Sequence, residues 1–92
     1  LGDLRFVEPA TAEGLDGPAE RVFARLLEWR AGVAKEHGVP AYVVFHDGTL
    51  RTVAAERPRS LEALGQVSGI GAAKLERYGA AVLQLVGDDG NG

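Results

Sequence analysis

The sequence contains no cysteine, no run of about 18 apolar residues, and no basic start followed by an apolar stretch. The lack of cysteine excludes disulfides and thiolate metal sites. The lack of a long apolar run excludes a membrane-spanning helix in this sequence. Because Asp3 and Arg5 stand where a signal peptide would begin, no secretory signal is visible. We therefore expect a cytoplasmic protein with no membrane partner.

Histidine is also scarce, and the polar residues that could form a catalytic or metal site have unsuitable spacings. His37 and His46 lie nine residues apart, which matches no tight metal site. Ser68 lacks the strand-to-helix setting of a nucleophile elbow. Asp47 and Ser60 are each explained as helix caps. We expect no catalytic residue, no metal and no cofactor.

Charge is distributed unevenly along the 92 residues, whose formal net charge is −3. Residues 20–86 carry nine basic and seven acidic side chains, whereas the flanks carry six acidic side chains and one basic one. We expect a flexible acidic arm at 1–18, one small domain at 19–87 and a disordered tail at 88–92. A mildly basic domain is compatible with nucleic-acid binding and equally with an ordinary solvated surface.

Apolar spacing and helix-capping residues predict an all-α fold. The β-branched and aromatic run at 39–45 favours a strand by propensity, but no second strand is available to pair with it. We therefore predict a short buried helix beginning near Pro40. Gly38 is predicted as a left-handed C-cap, and Asp47 and Ser60 as N-caps. The predicted helices cover residues 19–37, 39–45, 48–56, 60–67 and 71–86. They imply a compact bundle of five short helices with a helix-hairpin-helix-like turn near the C-terminus.

The segment SGIG, residues 68–71, joins the last two predicted helices. Gly69 and Gly71 permit backbone angles that a side chain would obstruct, and Ile70 between them can turn into the core. A structural role explains this turn without a ligand. The same geometry leaves N–H groups of a helix N-terminus open to a phosphate, with Lys74 one turn along, so phosphate contact remains the alternative.

Two aromatic residues are candidates for stacking on a nucleic-acid base. Trp29 lies beside the apolar stripe of the first predicted helix, which favours core packing over stacking. Tyr42 lies in the short second helix, and its hydroxyl requires water or a polar partner, so we expect it to be partly exposed. On the last predicted helix, Lys74 and Arg77 are expected to point outward.

The chain resembles the HRDC domain, the helicase and RNase D C-terminal module. The run VPAYVVFHDGTL, the segment RPRSLEALGQVSGIG and the segment KLERYG carry the resemblance. It covers about residues 20–86 once the preceding helix with LLEWRAGVAKEHG is included. The family usually has alanine at the position of Gly48, a departure that we expect to loosen the start of the third helix by up to about 1 kcal/mol.

The resemblance implies a five-helix bundle that assists a helicase or nuclease without performing chemistry itself. It implies a RecQ-type DNA helicase as the first choice of parent enzyme, with a UvrD-like helicase or RNase D behind it. In RecQ-type helicases such domains bind single-stranded or branched DNA weakly, or dock on the helicase core or on other repair proteins. We expect a monomer, and both kinds of partner remain open.

An aromatic residue at the position of Tyr42, with basic residues nearby, contacts DNA in some members of the family. The candidate DNA-binding residues are Tyr42, Lys74, Arg77, Arg51, Lys35, Gly69 and Gly71. If the four cations gather around Tyr42 on one face, DNA binding is favoured. If acidic residues interrupt them, a protein-interaction or intramolecular regulatory role is favoured.

Overall fold

The computed structural model describes residues 14–90, with side chains described through residue 87. The expectations for residues 1–13 and 91–92 therefore lie outside the described residues. Within the described range the chain forms five helices and no strand, which confirms the all-α prediction. The helices are α1 (Gly17–His37), α2 (Ala41–Val44), α3 (Asp47–Glu56), α4 (Leu61–Gly65) and α5 (Ala72–Gly90).

Helix α1 begins two residues earlier than the sequence predicts, because Asp16 caps it. The Asp16 carboxylate accepts a hydrogen bond from the Ala19 N–H at 2.9 Å, and Pro18 lies in the first turn, where proline is tolerated. The helix ends at Gly38, whose φ of 67° is left-handed, as predicted. Residues 16–18, which the predicted arm includes, thus form the cap and the first turn of α1.

The core lies on one side of α1, which packs against α2, α3 and α5, while α4 packs against α5. Apolar side chains from all five helices and the loops between them fill this core. The largest fully buried side chains are those of Phe45, Leu26, Leu50, Leu64, Val22, Val53 and Val82. Burial of this apolar surface is the main force that holds the short helices together, since helices of four or five residues are unstable alone.

Helix α2 lies within the run at 39–45 and confirms that this run forms a short helix and not a strand. Pro40 is its N-cap, and the Phe45 N–H donates to the Ala41 carbonyl at 3.3 Å. Val44 and Phe45 are buried and Ala41 is partly buried, whereas Tyr42 and Val43 are exposed. The predicted burial of this helix thus holds for one face, and Tyr42 on the other face is exposed, as expected.

Helices α4 and α5 follow the predicted turn. The Ser60 hydroxyl accepts a hydrogen bond from the Ala63 N–H at 3.0 Å, which confirms the predicted cap. Ile70 is buried between the two helices, as expected. Helix α5 continues to Gly90, three residues past the predicted domain end at 87. Across the described residues, no helix has the length and apolar character needed to cross a membrane.

Candidate functional site

Helix α2 presents two large apolar side chains to solvent. Tyr42 is 59% exposed and Val43 is 46% exposed, because only Val44 and the following Phe45 turn toward the core. The Tyr42 ring stacks on the His46 ring with centroids 6.1 Å apart and planes inclined by 22°. The exposure of Tyr42 is as expected. The i, i+4 spacing of Tyr42 and His46 is the sequence signal that indicates this contact.

A cluster of three aromatic rings holds α2 against α1 and α5. Trp29 lies 6.1 Å from Phe45 and 5.5 Å from Tyr78, and Phe45 lies 5.7 Å from Tyr78, all between ring centroids. Most of these contacts are edge-to-face, a favourable geometry for aromatic pairs. Trp29 is therefore a packing residue, as predicted. The cluster fixes the position of the segment that carries Tyr42.

Arg30 of α1 fixes the junction between α2 and α3. Its Nη1 atom donates to the Phe45 carbonyl at 2.8 Å and lies 2.6 Å from the Asp47 carboxylate. The predicted N-cap role of Asp47 is wrong, because His46 holds the N-cap position and Asp47 is the first residue of α3. A buried guanidinium requires a counter-charge, and the Asp47 carboxylate provides it. The Asp47 side chain therefore pairs with Arg30 instead of capping α3.

Two of the predicted cations lie beside α2 on the first turns of α5. The Lys74 ammonium lies 5.3 Å from the centroid of the Phe45 ring, and the Arg77 guanidinium carbon lies 5.6 Å from that of Tyr78. Arg77 also lines a surface pocket together with Val43 of α2. Lys74 is half-buried rather than fully outward, while Arg77 is exposed as expected. The structure thus brings Lys74 and Arg77 close to the helix that carries Tyr42.

The other two predicted cations lie at opposite ends of α1. Lys35 is exposed in the last turn of α1, near the end at which His37 lines the pocket with Arg77. The Arg51 guanidinium lies beside Gly14, just before α1 begins. Its Nη2 atom is 2.9 Å from the position that a Cβ atom on Gly14 would take. Because α1 has 21 residues, its ends are about 30 Å apart. The structure therefore does not place Arg51 with the other three cations.

The two predicted glycines have different roles. Gly69 has a φ of 96°, and a Cβ at this position would overlap the Thr49 hydroxyl, which donates to the Ser68 carbonyl at 3.4 Å. Gly71 has no atom near the position of an added Cβ, and its carbonyl accepts the Leu75 N–H at 2.9 Å. The expectation that a side chain would be obstructed is thus correct for Gly69 and wrong for Gly71.

A family model for the HRDC domain matches residues 19–86. The ATP-dependent DNA helicase UvrD2 of Mycobacterium tuberculosis is 52% identical over 67 residues, which cover 73% of this chain and 10% of that helicase. The ATP-dependent DNA helicase RecQ of Haemophilus influenzae is 35% identical over 74 residues, which cover 80% of this chain and 12% of that helicase. The chain thus spans about a tenth of the length of the curated helicases that it matches.

A solved structure gives the same result at the level of the fold. HRDC domain 3 of D. radiodurans RecQ superposes with a TM-score of 0.76 at 35% identity, covering 80% of this chain and 97% of that chain. The chain belongs to the HRDC family, an accessory domain of DNA helicases, which confirms the family predicted from the sequence. Identity is higher to the UvrD2 helicase than to the RecQ helicase.

Proposed function

We propose that this domain binds single-stranded or branched DNA weakly and without sequence preference, as a non-catalytic accessory domain of a DNA helicase. The observation that carries the proposal is the exposed ring of Tyr42, backed by His46. It lies on a helix whose neighbouring rings, Phe45 and Tyr78, are covered by Lys74 and Arg77 of α5. The helicase relatives, of which this chain spans a small part, support a helicase of the UvrD2 or RecQ kind as the parent.

The chemistry of this surface suits unpaired bases. A base can stack on the exposed face of Tyr42 only when it is not stacked between its own neighbours, as in single strands and at branch points. Stacking does not depend on base identity, because every base has a π-face. The cations of α5 supply phosphate contacts that hold the strand beside the ring.

The number of cations near Tyr42 sets the affinity. Lys74, Arg77 and the more distant Lys35 give at most a few phosphate contacts, so the dissociation constant should fall at about 10⁻⁴ to 10⁻⁶ M and rise with salt. Backbone N–H groups of the turn around Gly69 and Gly71 remain predicted phosphate contacts. Arg51 is left out of the proposed surface, because its guanidinium lies at the other end of α1.

The test is a titration of the ¹⁵N-labelled chain with an oligothymidine at low and at moderate salt. Binding is measured from the changes in amide chemical shift. Tyr42→Ala should weaken binding by about 1–3 kcal/mol with the fold intact, because it removes the stacking ring. Lys74→Ala should mainly reduce the salt dependence. Arg51→Ala is the matched control, a cation removed from a distant surface, and should change neither quantity.

A second titration with the separately supplied helicase core distinguishes the regulatory alternative. If DNA causes no shift at low salt while the core perturbs the amides around Tyr42, the DNA proposal is wrong and intramolecular docking takes its place. If Arg51→Ala weakens DNA binding as much as Lys74→Ala does, the binding is not localised at the proposed surface.

A further inference from the structure

A surface pocket of about 260 Å³ lies between the end of α1, the short helix α2 and the start of α5. It is lined by His37, Val39, Val43, Val44, Arg77 and Tyr78. Tyr42 is not among the lining residues. The pocket is thus a feature separate from the proposed stacking surface, although Arg77 borders both.

The lining of this pocket combines apolar and polar surface in similar amounts, and the pocket is partly open to solvent. Three of the six lining residues are valines, and Val43 is half-exposed. In the part of the chain that the structure describes, only Tyr42, Val43 and Leu61 are large hydrophobic residues with high exposure. Two of these three are neighbours on α2. An apolar patch continuous with a pocket is typical of a protein-binding surface.

The ring inside the pocket is poorly suited to stacking on a base. The Arg77 guanidinium already covers the Tyr78 ring, and Tyr78 meets both Trp29 and Phe45 edge-to-face. Stacking requires an open ring face, which Tyr78 does not offer. Aliphatic walls instead favour an aliphatic or aromatic side chain, because its burial removes apolar surface from water on both sides.

The size and charge of the pocket further restrict the kind of ligand that can occupy it. Its volume lies below the roughly 300–1,000 Å³ of pockets that hold drug-sized ligands, so it fits a single side chain. Arg77 at the border carries a permanent positive charge, and arginine and tyrosine are enriched where protein interfaces gain most of their binding energy. Its planar guanidinium pairs well with a carboxylate.

We propose that this pocket binds one aliphatic or aromatic side chain of an acidic peptide segment of a separate protein, with Arg77 pairing to a carboxylate of that segment. Val43 and Val44 form the apolar contact, and Arg77 selects acidic sequences. The proposal does not depend on DNA binding, because its apolar contact is made by Val43 and not by Tyr42. Tyr42→Ala and Val43→Ser therefore separate the two functions, whereas Arg77 is common to both.

The probe is a synthetic peptide, acetylated and amidated, with one phenylalanine between flanking aspartates. Its titration into the ¹⁵N-labelled 92-residue chain should shift the amides of the pocket residues. The same peptide with serine in place of phenylalanine should bind at least about fivefold more weakly, because the apolar anchor is lost. Val43→Ser should weaken binding of the phenylalanine peptide by a similar factor, whereas Tyr42→Ala, the neighbouring exposed residue, should leave it unchanged.

Reversal of charge gives a gain-of-function control that a folding defect cannot mimic. Arg77→Glu should abolish binding of the acidic peptide and allow binding of a peptide with lysines in place of the aspartates. Far-UV circular dichroism of each variant verifies that the helices are retained.

Three results would overturn the proposal. The first is equal binding of the phenylalanine and serine peptides, since no apolar pocket is then occupied. The second is that the observed ligand and the observed site do not match. Either the peptide shifts the amides around Tyr42 and His46 instead of the pocket amides, or oligothymidine shifts the pocket amides and the peptide does not. The third is peptide binding only after residues 1–13 are deleted. This segment contains Leu4, Phe6 and Val7 beside acidic residues, so that result would make this chain's own N-terminal segment the occupant.

Discussion

Replacement of Arg30 by methionine should clearly destabilise the domain. Arg30 is buried, and its Nη1 atom holds both the Phe45 carbonyl at the end of α2 and the Asp47 carboxylate at the start of α3. Methionine keeps the apolar stem and removes both contacts. The change therefore isolates the polar contribution of the side chain from its packing.

The expected loss of unfolding free energy combines two destabilising effects and one stabilising effect. A hydrogen bond from a charged donor contributes about 1.5–3 kcal/mol, and the buried Phe45 carbonyl would lose its partner. Breaking a buried ion pair costs about 3–5 kcal/mol, but the Asp47 side chain is 33% exposed, so water replaces part of that interaction. In the other direction, the buried Arg30 Nε has no hydrogen-bond partner among the residues that the structure describes, and its removal recovers desolvation energy. A net loss of about 2 kcal/mol results.

Urea unfolding followed by circular dichroism and by the fluorescence of Trp29, the only tryptophan, measures this loss. For a domain of this size, about 2 kcal/mol lowers the melting temperature by roughly 8–16 °C. Arg57→Met is the matched control, because the Arg57 to Asp16 pair is longer, at 3.6 Å, and its Asp16 side chain is 67% exposed. This pair should therefore contribute less than about 1 kcal/mol. A loss below about 0.5 kcal/mol for Arg30→Met, or equal losses for both variants, would refute the reasoning.

Elements that are specified by neighbouring residues could be predicted from the sequence. The cap at Ser60 and the left-handed turn at Gly38 depend on groups within four residues, and both are where the sequence places them. The apolar spacing of the long first and last helices is equally local. The run at 39–45 was assigned as a helix only because no strand could pair with it, a tertiary argument that outweighed propensity.

Features that depend on residues far apart in the sequence could not be predicted. A local capping rule assigned Asp47 to the N-terminus of α3, whereas its partner in the fold is Arg30, 17 residues earlier. The close approach of Gly69 to Thr49 likewise requires α3 to be packed against the turn before α5. The local sequence pattern therefore does not distinguish Gly69 from Gly71, and their different roles follow only from the fold.

The candidate site divides in the same way. Exposure of Tyr42 follows from its place on a short helix with one buried face, which the sequence shows. The grouping of the cations does not follow from the sequence, because the direction of each long side chain depends on its neighbours in space. Arg51 turns toward Gly14 while Arg77 covers Tyr78, and no spacing rule separates these outcomes. A net positive charge on the domain is thus weaker support for DNA binding than the position of two cations near the helix that carries the exposed Tyr42.

Three stability predictions remain, each measured by thermal or urea unfolding. Deletion of residues 1–13 should change stability by less than about 1 kcal/mol, because the Asp16 cap of α1 is retained; a larger loss would mean that this segment packs on the domain. Ser60→Ala should cost about 1 kcal/mol by removing the cap of α4, while Ser60→Asp should keep most of it. Gly69→Ala should cost clearly more than Gly71→Ala. An alanine at 69 must adopt a positive φ, which costs roughly 1–2 kcal/mol, and must also displace the Thr49 side chain. An alanine at 71 meets open space. Equal losses for the two alanine variants would show that the turn does not have the described geometry.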